Sequence, residues 1–243
     1  VSDLQVIAVE GIGEVSAGDD LAALIASTGA EIRNGDCLVV TQKAVSKAEG
    51  RVVDIDPDDP LSHKPLVEAE SVRVLRRRGD LVISETVHGF VCANAGVDLS
   101  NVQAGRAALL PLDSDRSARR IRARLGTRLG VEVAVVISDT FGRPWRRGVA
   151  DVAIGCAGIA GVVDLRGTPD ALGRELAVTE VAIVDEIAAA ADLVMGKSRG
   201  IAAAIVRGLD PAWLAGGSAA DGSLAGGSVA GDIVRPAAED LFR

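Results

Sequence analysis

A chain of 243 residues with 48% hydrophobic residues is long enough to bury a large core, yet only 2% of it is aromatic, so that core must be built from Ala, Val, Leu and Ile. The formal net charge of −8 excludes a surface that attracts nucleic acid as a whole. Cys37, Cys92 and Cys156 are widely spaced and odd in number, which excludes a zinc knuckle and a disulfide framework.

Leu4–Val9 reads as a first strand, stopped by Glu10-Gly11. Asp19 and Asp20 can cap a helix over Leu21–Thr28. The turn Asn34-Gly35-Asp36 leads into a strand over Cys37–Thr41. Residues 39–50, VVTQKAVSKAEG, then place Lys43 and Lys47 four positions apart. If the chain stays extended there, the two lysines share a side and can meet a polyphosphate. Residues 54–65, rich in Asp and Pro, read as a loop, and Glu68–Arg78 fits a helix with Val72 and Leu75 on one face. Leu81–Thr86 and Phe90–Ala93 read as a hairpin turning at His88-Gly89.

Ser114–Gly130 reads as a helix capped by Ser114, with Ile121, Leu125 and Leu129 on one face. Its arginines are read as a solvated face rather than a nucleic-acid contact. Val131–Ile137 is nearly all apolar and is expected to be a strand covered on both sides. Glu175–Val194 holds an Ala-rich helix ended by Gly196, and Ile201–Val206 is a late strand. Residues 215–231, AGGSAADGSLAGGSVAG, are expected to form a flexible Gly/Ser-rich loop. Strands and helices mix throughout, which gives an α/β (mixed α+β) fold class over one domain, 1–243. No uncharged apolar run reaches about 18 residues, and the N-terminus lacks the pattern of a secretory leader. A cytoplasmic protein with no membrane partner is expected.

The chemistry-bearing residues are oxygen-rich. With only His63 and His88, neither a serine triad nor a His-rich zinc site is supported. No G-x-x-x-x-G-K-S/T phosphate loop occurs, and Gly11-Ile12-Gly13 is followed by Ser16 where a dinucleotide fingerprint needs glycine. What remains is Asp98 with Asn101 in NAGVDLSN, and Asp139 with Thr140 in AVVISDTFGRPWRRG. Carboxylates and hydroxyls suit hard ions such as Mg²⁺ or Mn²⁺, although each of these residues also suits an ordinary turn or cap. Arg143, Arg146 and Arg147 can grip phosphates, anionic substrates or acidic neighbours, and these alternatives stay open.

Taken together, VVTQKAVSKAEGR, GFVCANAGVDLSNV, AVVISDTFGRPWRRG and LAVTEVAIVDEIAAAADLVMGK resemble, in order and spacing, the coenzyme F420-0:L-glutamate ligase family. Within that family the chain resembles the ligase domain of the actinobacterial bifunctional form. The resemblance implies an unusual α/β fold that forms an intertwined homodimer. It implies a GTP-dependent ligase that joins L-glutamate to the side-chain carboxylate of coenzyme F420-0, extends a γ-linked polyglutamate tail, and releases GDP and phosphate. Mg²⁺ or Mn²⁺ is implied as a cofactor, with K⁺ assisting.

By position, Asp98, Asp139 and Thr140 match the family's metal ligands. Ile12, Gly13, Glu14 and Val15 match a nucleotide-binding stretch, and Lys47 and Asn101 match nucleotide contacts. Gln42 stands where relatives often have a serine that contacts GTP, and Met195 and Gly196 fall in a region that borders the nucleotide. No catalytic acid or base is assigned. Two other classes stand beside this reading: a non-catalytic GTP- or deazaflavin-binding relative, and a metal-dependent phosphatase.

Overall fold

The structure, a computed structural model, describes residues 3–214 and 228–240. Its strands are, in chain order, β1 (Gln5–Val9), β2 (Cys37–Thr41), β3 (Val52–Asp54), β4 (Ser71–Arg78), β5 (Leu81–Thr86), β6 (Val91–Ala93), β7 (Arg106–Ala108), β8 (Ala134–Gly142), β9 (Val149–Ala157), β10 (Val163–Asp164), β11 (Glu180–Val181) and β12 (Ala203–Arg207). The principal helices are α1 (Leu21–Ser27), α2 (Gln42–Ala48), α3 (Lys64–Ala69), α4 (Ser114–Leu129) and α5 (Ile183–Met195).

Five strands form the central sheet in the order β1-β12-β2-β8-β9. Only β2 and β8 run parallel, with Cys37 opposite Ala134 and Thr41 opposite Ser138. Every residue from Cys37 to Val40 and from Ala134 to Ser138 is buried. Successive strand residues point to opposite faces, so this burial requires a cover on both sides of the sheet. Helix α4 packs on β8 and β9, and α5 packs on β9, β12 and β1. Each fully buried Val, Leu or Ile stabilises the fold by about 1.5–3 kcal/mol, which makes this aliphatic sheet the mechanical base for the loops at its ends.

A second, smaller core joins Val67, Val82, Ala95, Val97, Ala107 and Leu109 beneath the β4-β5-β6 and β3-β7 ladders. Strands β5 and β6 pair antiparallel around His88-Gly89, as expected. The expected helix over 68–78 is not there. Helix α3 ends at Ala69 and the chain continues as β4, paired with β5 from Ser71 opposite Thr86 to Arg78 opposite Leu81. The two-residue link Gly79-Asp80 closes this hairpin, with Gly79 at φ 57°. Irregular register at Ser71/Arg73 and Val74/Arg76 breaks the period-two alternation, which is why the segment imitates helical spacing.

Three further expectations are corrected. Residues 42–48 leave the extended conformation at once and form α2, where four-residue spacing still puts Lys43 and Lys47 on one face. The N-cap of α4 is Asp113, whose carboxylate accepts from the Arg116 N–H, rather than Ser114. The strand expected over 131–137 starts at Ala134 and runs on through Gly142, carrying Asp139 and Thr140 inside it.

The Gly/Ser-rich stretch lies outside the described residues over 215–227. At its end Val229 is fully buried and Asp115 accepts from Val229 N–H, Ser228 Oγ and Cys156 N–H. Asp115 therefore ties α4, β9 and the returning chain together. Asp115→Asn, which supplies one acceptor oxygen where two are used, is expected to lower unfolding stability by about 2 kcal/mol, read as a lower urea midpoint with unchanged slope. All three cysteines are buried thiols, and burial pushes Cys92 and Cys156 up to about 12, which leaves them unreactive at neutral pH. Among the described residues no helix is long and apolar enough to cross a membrane.

Candidate active site

The parallel pair β2 and β8 ends on one side of the sheet, and a cavity of about 1000 Å³ opens there. Open α/β sheets commonly bind ligands beyond the carboxyl ends of their strands. The cavity is lined from β2 and α2 by Thr41, Gln42, Lys43 and Lys47, and from the 98–103 loop by Asp98, Ser100 and Asn101. From β8 and β9 come Ser138, Asp139, Thr140 and Asp151, and from the end of α5 Asp192, Met195, Gly196 and Lys197. The early loop contributes Gly13, Glu14 and Val15. Residues far apart in the chain therefore converge, including all three expected metal ligands.

A bulge aims the floor of this cavity. Ile137 pairs with Gly155 but Ser138 pairs with Ala153, so Ile154 is an extra residue on β9. Such an insertion bends the strand and redirects the side chains that follow it. Just beyond it, Thr140 faces Asp151 in register, and its hydroxyl donates to Asp151 Oδ1 at 2.6 Å. Ser138 Oγ donates to Asp151 Oδ2 at 3.1 Å. Asp151 is only 4% exposed, and its charge is met by Lys197 Nζ at 2.6 Å.

Across the cavity, Asp98 is pinned by backbone bonds to Ala108 on β7. Its Oδ1 accepts from the Ser100 N–H at 2.7 Å, and its Oδ2 accepts from Lys43 Nζ at 2.6 Å. Burial alone would raise the Asp98 carboxyl, but the Lys43 ammonium and the Ser100 N–H outweigh it and hold the group below its ordinary value. Asp139 goes the other way. Burial, together with the charges of Asp98 and Asp151, raises it to about 7, although the Thr140 N–H donates to its Oδ1 at 2.8 Å. A carboxylate crowded by two others without an ammonium bonded to it is a place where a cation would relieve repulsion.

The other expected residues divide. Lys47 bonds Glu14 at 2.5 Å across the cavity mouth, and Asn101 Nδ2 donates to the Lys197 carbonyl at 3.1 Å. Gln42 is buried, and its amide nitrogen already donates to Ser46 Oγ and the Leu109 carbonyl. Ile12 packs into the main core and is not part of the lining. Arg143, Arg146 and Arg147 also lie outside it, exposed on the turn between β8 and β9, where Arg143 donates to the Arg147 carbonyl.

Sequence reading missed Asp151 as a member of the site, and it reached Lys197 only as the end of the Met195-Gly196-Lys197 stretch that the resemblance sets beside the nucleotide. A lone carboxylate in the apolar run Val149–Ile159 is the signal that could have found Asp151. No local signal marks the Lys197 ammonium, whose side-chain partners lie up to 57 positions away.

Carboxylates, hydroxyls and lysines gather at the strand ends of a mixed α/β sheet, and comparison with known proteins places the chain among ligases. The family model described as F420-0:Gamma-glutamyl ligase matches residues 11–208, and the chain belongs to that family. It is 45% identical over 224 residues to "Coenzyme F420:L-glutamate ligase" of Methanothermobacter thermautotrophicus, covering 84% of this chain and 89% of that protein. It is 46% identical over 213 residues to the protein of the same name in Methanopyrus kandleri, covering 82% and 84%. The Archaeoglobus fulgidus protein of that name is 40% identical over 223 residues, covering 86% and 89%.

Proposed function

We propose that this chain is a GTP-dependent ligase that adds L-glutamate to the side-chain carboxylate of coenzyme F420-0 and extends a γ-linked polyglutamate tail, acting as one domain over 1–243. The observation that carries this reading is the meeting of Asp98, Asp139 and Thr140 with Lys43 and Lys47 around one cavity large enough for a nucleotide.

A carboxylate does not condense with an amine in water, because its oxygen is a poor leaving group. Attack of that oxygen on the γ-phosphorus of GTP breaks the bond to GDP and makes an acyl phosphate. The glutamate nitrogen then attacks the acyl carbon, the carbon–oxygen bond to phosphate breaks, and an amide and inorganic phosphate result. In this reading Lys43 and Lys47, which line the cavity, turn from Asp98 and Glu14 to the phosphates, and positioning plus fixed charge can carry much of such a transfer.

The donor set fits Mg²⁺ or Mn²⁺. Asp98, Asp139 and Thr140 offer oxygen only, and ammonium groups already sit on Asp98 and on Thr140 with Asp151. Among the described residues no three His, Cys, Asp or Glu side chains make a metal site by themselves, so waters and phosphate oxygens would complete the shell. Such an ion neutralises charge on the phosphoryl group in transit. K⁺ assists in this reading.

A homodimer is part of the proposal. Strand β4 is an edge of its sheet and exposes Val72 and Val74, and Leu81 and Val91 of the same sheet are exposed as well, which supports pairing with a second copy.

Mass spectrometry of the deazaflavin after incubation with GTP, Mn²⁺ and glutamate tests the reading: added glutamyl units support it, and an unchanged acceptor refutes it. Lys47→Ala is expected to weaken GTP binding about tenfold, the loss of one charge-assisted contact, with the KM for glutamate unchanged. Steady-state titration of each substrate checks the split.

A further inference from the structure

Lys197 stands where a cation would have to go. Its Nζ lies 2.5 Å from Thr140 Oγ1, 2.6 Å from Asp151 Oδ1 and 2.8 Å from Asp192 Oδ1, so each of its three N–H groups has an oxygen. The Thr140 hydroxyl hydrogen is already given to Asp151. The Thr140 lone pairs are therefore what a cation must use, and Lys197 holds one of them. Two positive charges around one hydroxyl oxygen in a half-enclosed site repel strongly. An ammonium and a divalent ion exclude each other there.

Lys197 is also built to leave. Its side chain is 52% exposed. It lies in a short non-helical segment after α5, between Gly196 at φ 60° and Gly200 at φ 69°, a region that favours glycine. The tie on its backbone is the Asn101 amide, donated to the Lys197 carbonyl from the opposite wall of the cavity. A ligand that draws the Asn101 amide away removes that tie and loosens the segment, which Arg199 still holds to the Val194 carbonyl. Asp192, on α5 itself, can keep the ammonium near the cavity after it leaves Thr140.

We propose that Lys197 is a displaceable internal cation: it fills the Thr140–Asp151 side of the cavity in the unloaded protein and, when a metal ion and nucleotide enter together, gives up that place and turns to the incoming anions. The proposal rests on the ligase reading above. It makes metal binding and nucleotide binding cooperative, because the nucleotide both loosens Asn101 and offers the lysine new partners.

The test is Mn²⁺ binding without nucleotide, followed by electron paramagnetic resonance, on the unaltered protein, Lys197→Met and Lys197→Arg. Lys47→Met serves as a control for through-space charge, since Lys47 is paired with Glu14 instead. Lys197→Met should bind Mn²⁺ on the order of tenfold tighter, Lys197→Arg should match the unaltered protein, and Lys47→Met should shift far less. Lys197→Gln, neutral but still hydrogen-bonding, gives the same comparison if the Met variant fails to fold. Equal or weaker binding by the neutral variants overturns the proposal, as does an equal gain in Lys47→Met or Lys197→Arg. Glutamate addition is assayed on the same unaltered preparation. Turnover without the Lys197 effect overturns this proposal alone, whereas absence of both turnover and Mn²⁺ binding overturns it together with the ligase reading.

Discussion

Asp139→Asn is expected to abolish glutamate addition, by at least about a hundredfold, while making the metal-free protein more stable above pH 7. The carboxyl at this position is raised to about 7 by burial and by its neighbours Asp98 and Asp151, from an ordinary value of 3.8. Below pH 4 it is protonated in both folded and unfolded chains and contributes no difference. Between pH 4 and 7 the unfolded chain ionises first, the folded chain holds the extra proton, and stability falls as pH rises. Above pH 7 the loss is complete, on the order of a few kcal/mol and reduced by the side chain's partial opening to the cavity. Asparagine has no charge to strain. The variant should therefore melt with the unaltered protein near pH 4 and above it at pH 8. Thermal melts at the two pH values, beside turnover with GTP and Mn²⁺, check both halves. A variant that loses activity without gaining stability would show that Asp139 is not held under electrostatic strain.

Asp151→Ala should be nearly as damaging to turnover, on the order of a hundredfold, because it removes the common anchor of Ser138, Thr140 and Lys197. It should also lower stability by about 2–3 kcal/mol, since two hydroxyls at the cavity floor lose their acceptor and a half-buried ion pair loses its carboxylate. Lys197 retains Asp192 and reaches solvent, which keeps the loss below that of a fully enclosed pair. Asp151→Asn, which retains an acceptor but no charge, should fall between. Urea unfolding and steady-state kinetics on the two variants separate packing from charge. Equal turnover in Asp151→Ala and the unaltered protein would remove Asp151 from the machinery.

Among the strands of the central sheet, β2 was legible because it is buried on both faces, whereas β9 was read only as a small, apolar stretch. Cys37–Thr41 is an unbroken apolar run after a turn, and it is a strand with those bounds. The end of β8 was not legible in the same way. Ser138, Asp139 and Thr140 look like a strand ending in polar residues, yet the strand continues, because β9 supplies partners across an inserted residue. Nothing in either segment alone encodes that insertion. The β4 segment failed for a related reason, its alternation being interrupted by irregular register, although Gly79-Asp80 was a usable hairpin signal.

In the site, an oxygen-rich chemistry could be read from Asp98, Asp139 and Thr140, and two lysines four apart could be read as a charged face. The pairing of those lysines could not. Lys43 meets Asp98 from 55 positions away and Lys47 meets Glu14 from 33. Such contacts belong to the closure of the fold and leave no periodic trace. The early loop divides in a way the sequence does not show: Gly13 and Glu14 face the cavity while the Ile12 side chain turns into the core.

Oxygen-isotope transfer gives the most direct trial of the catalytic proposal. Deazaflavin acceptor carrying heavy oxygen in its side-chain carboxylate is incubated with GTP, Mn²⁺ and glutamate, and the released inorganic phosphate is weighed by mass spectrometry. Activation through an acyl phosphate predicts one heavy oxygen in each phosphate for every amide formed. Amide formation with unlabelled phosphate, or phosphate released without any amide, would contradict it.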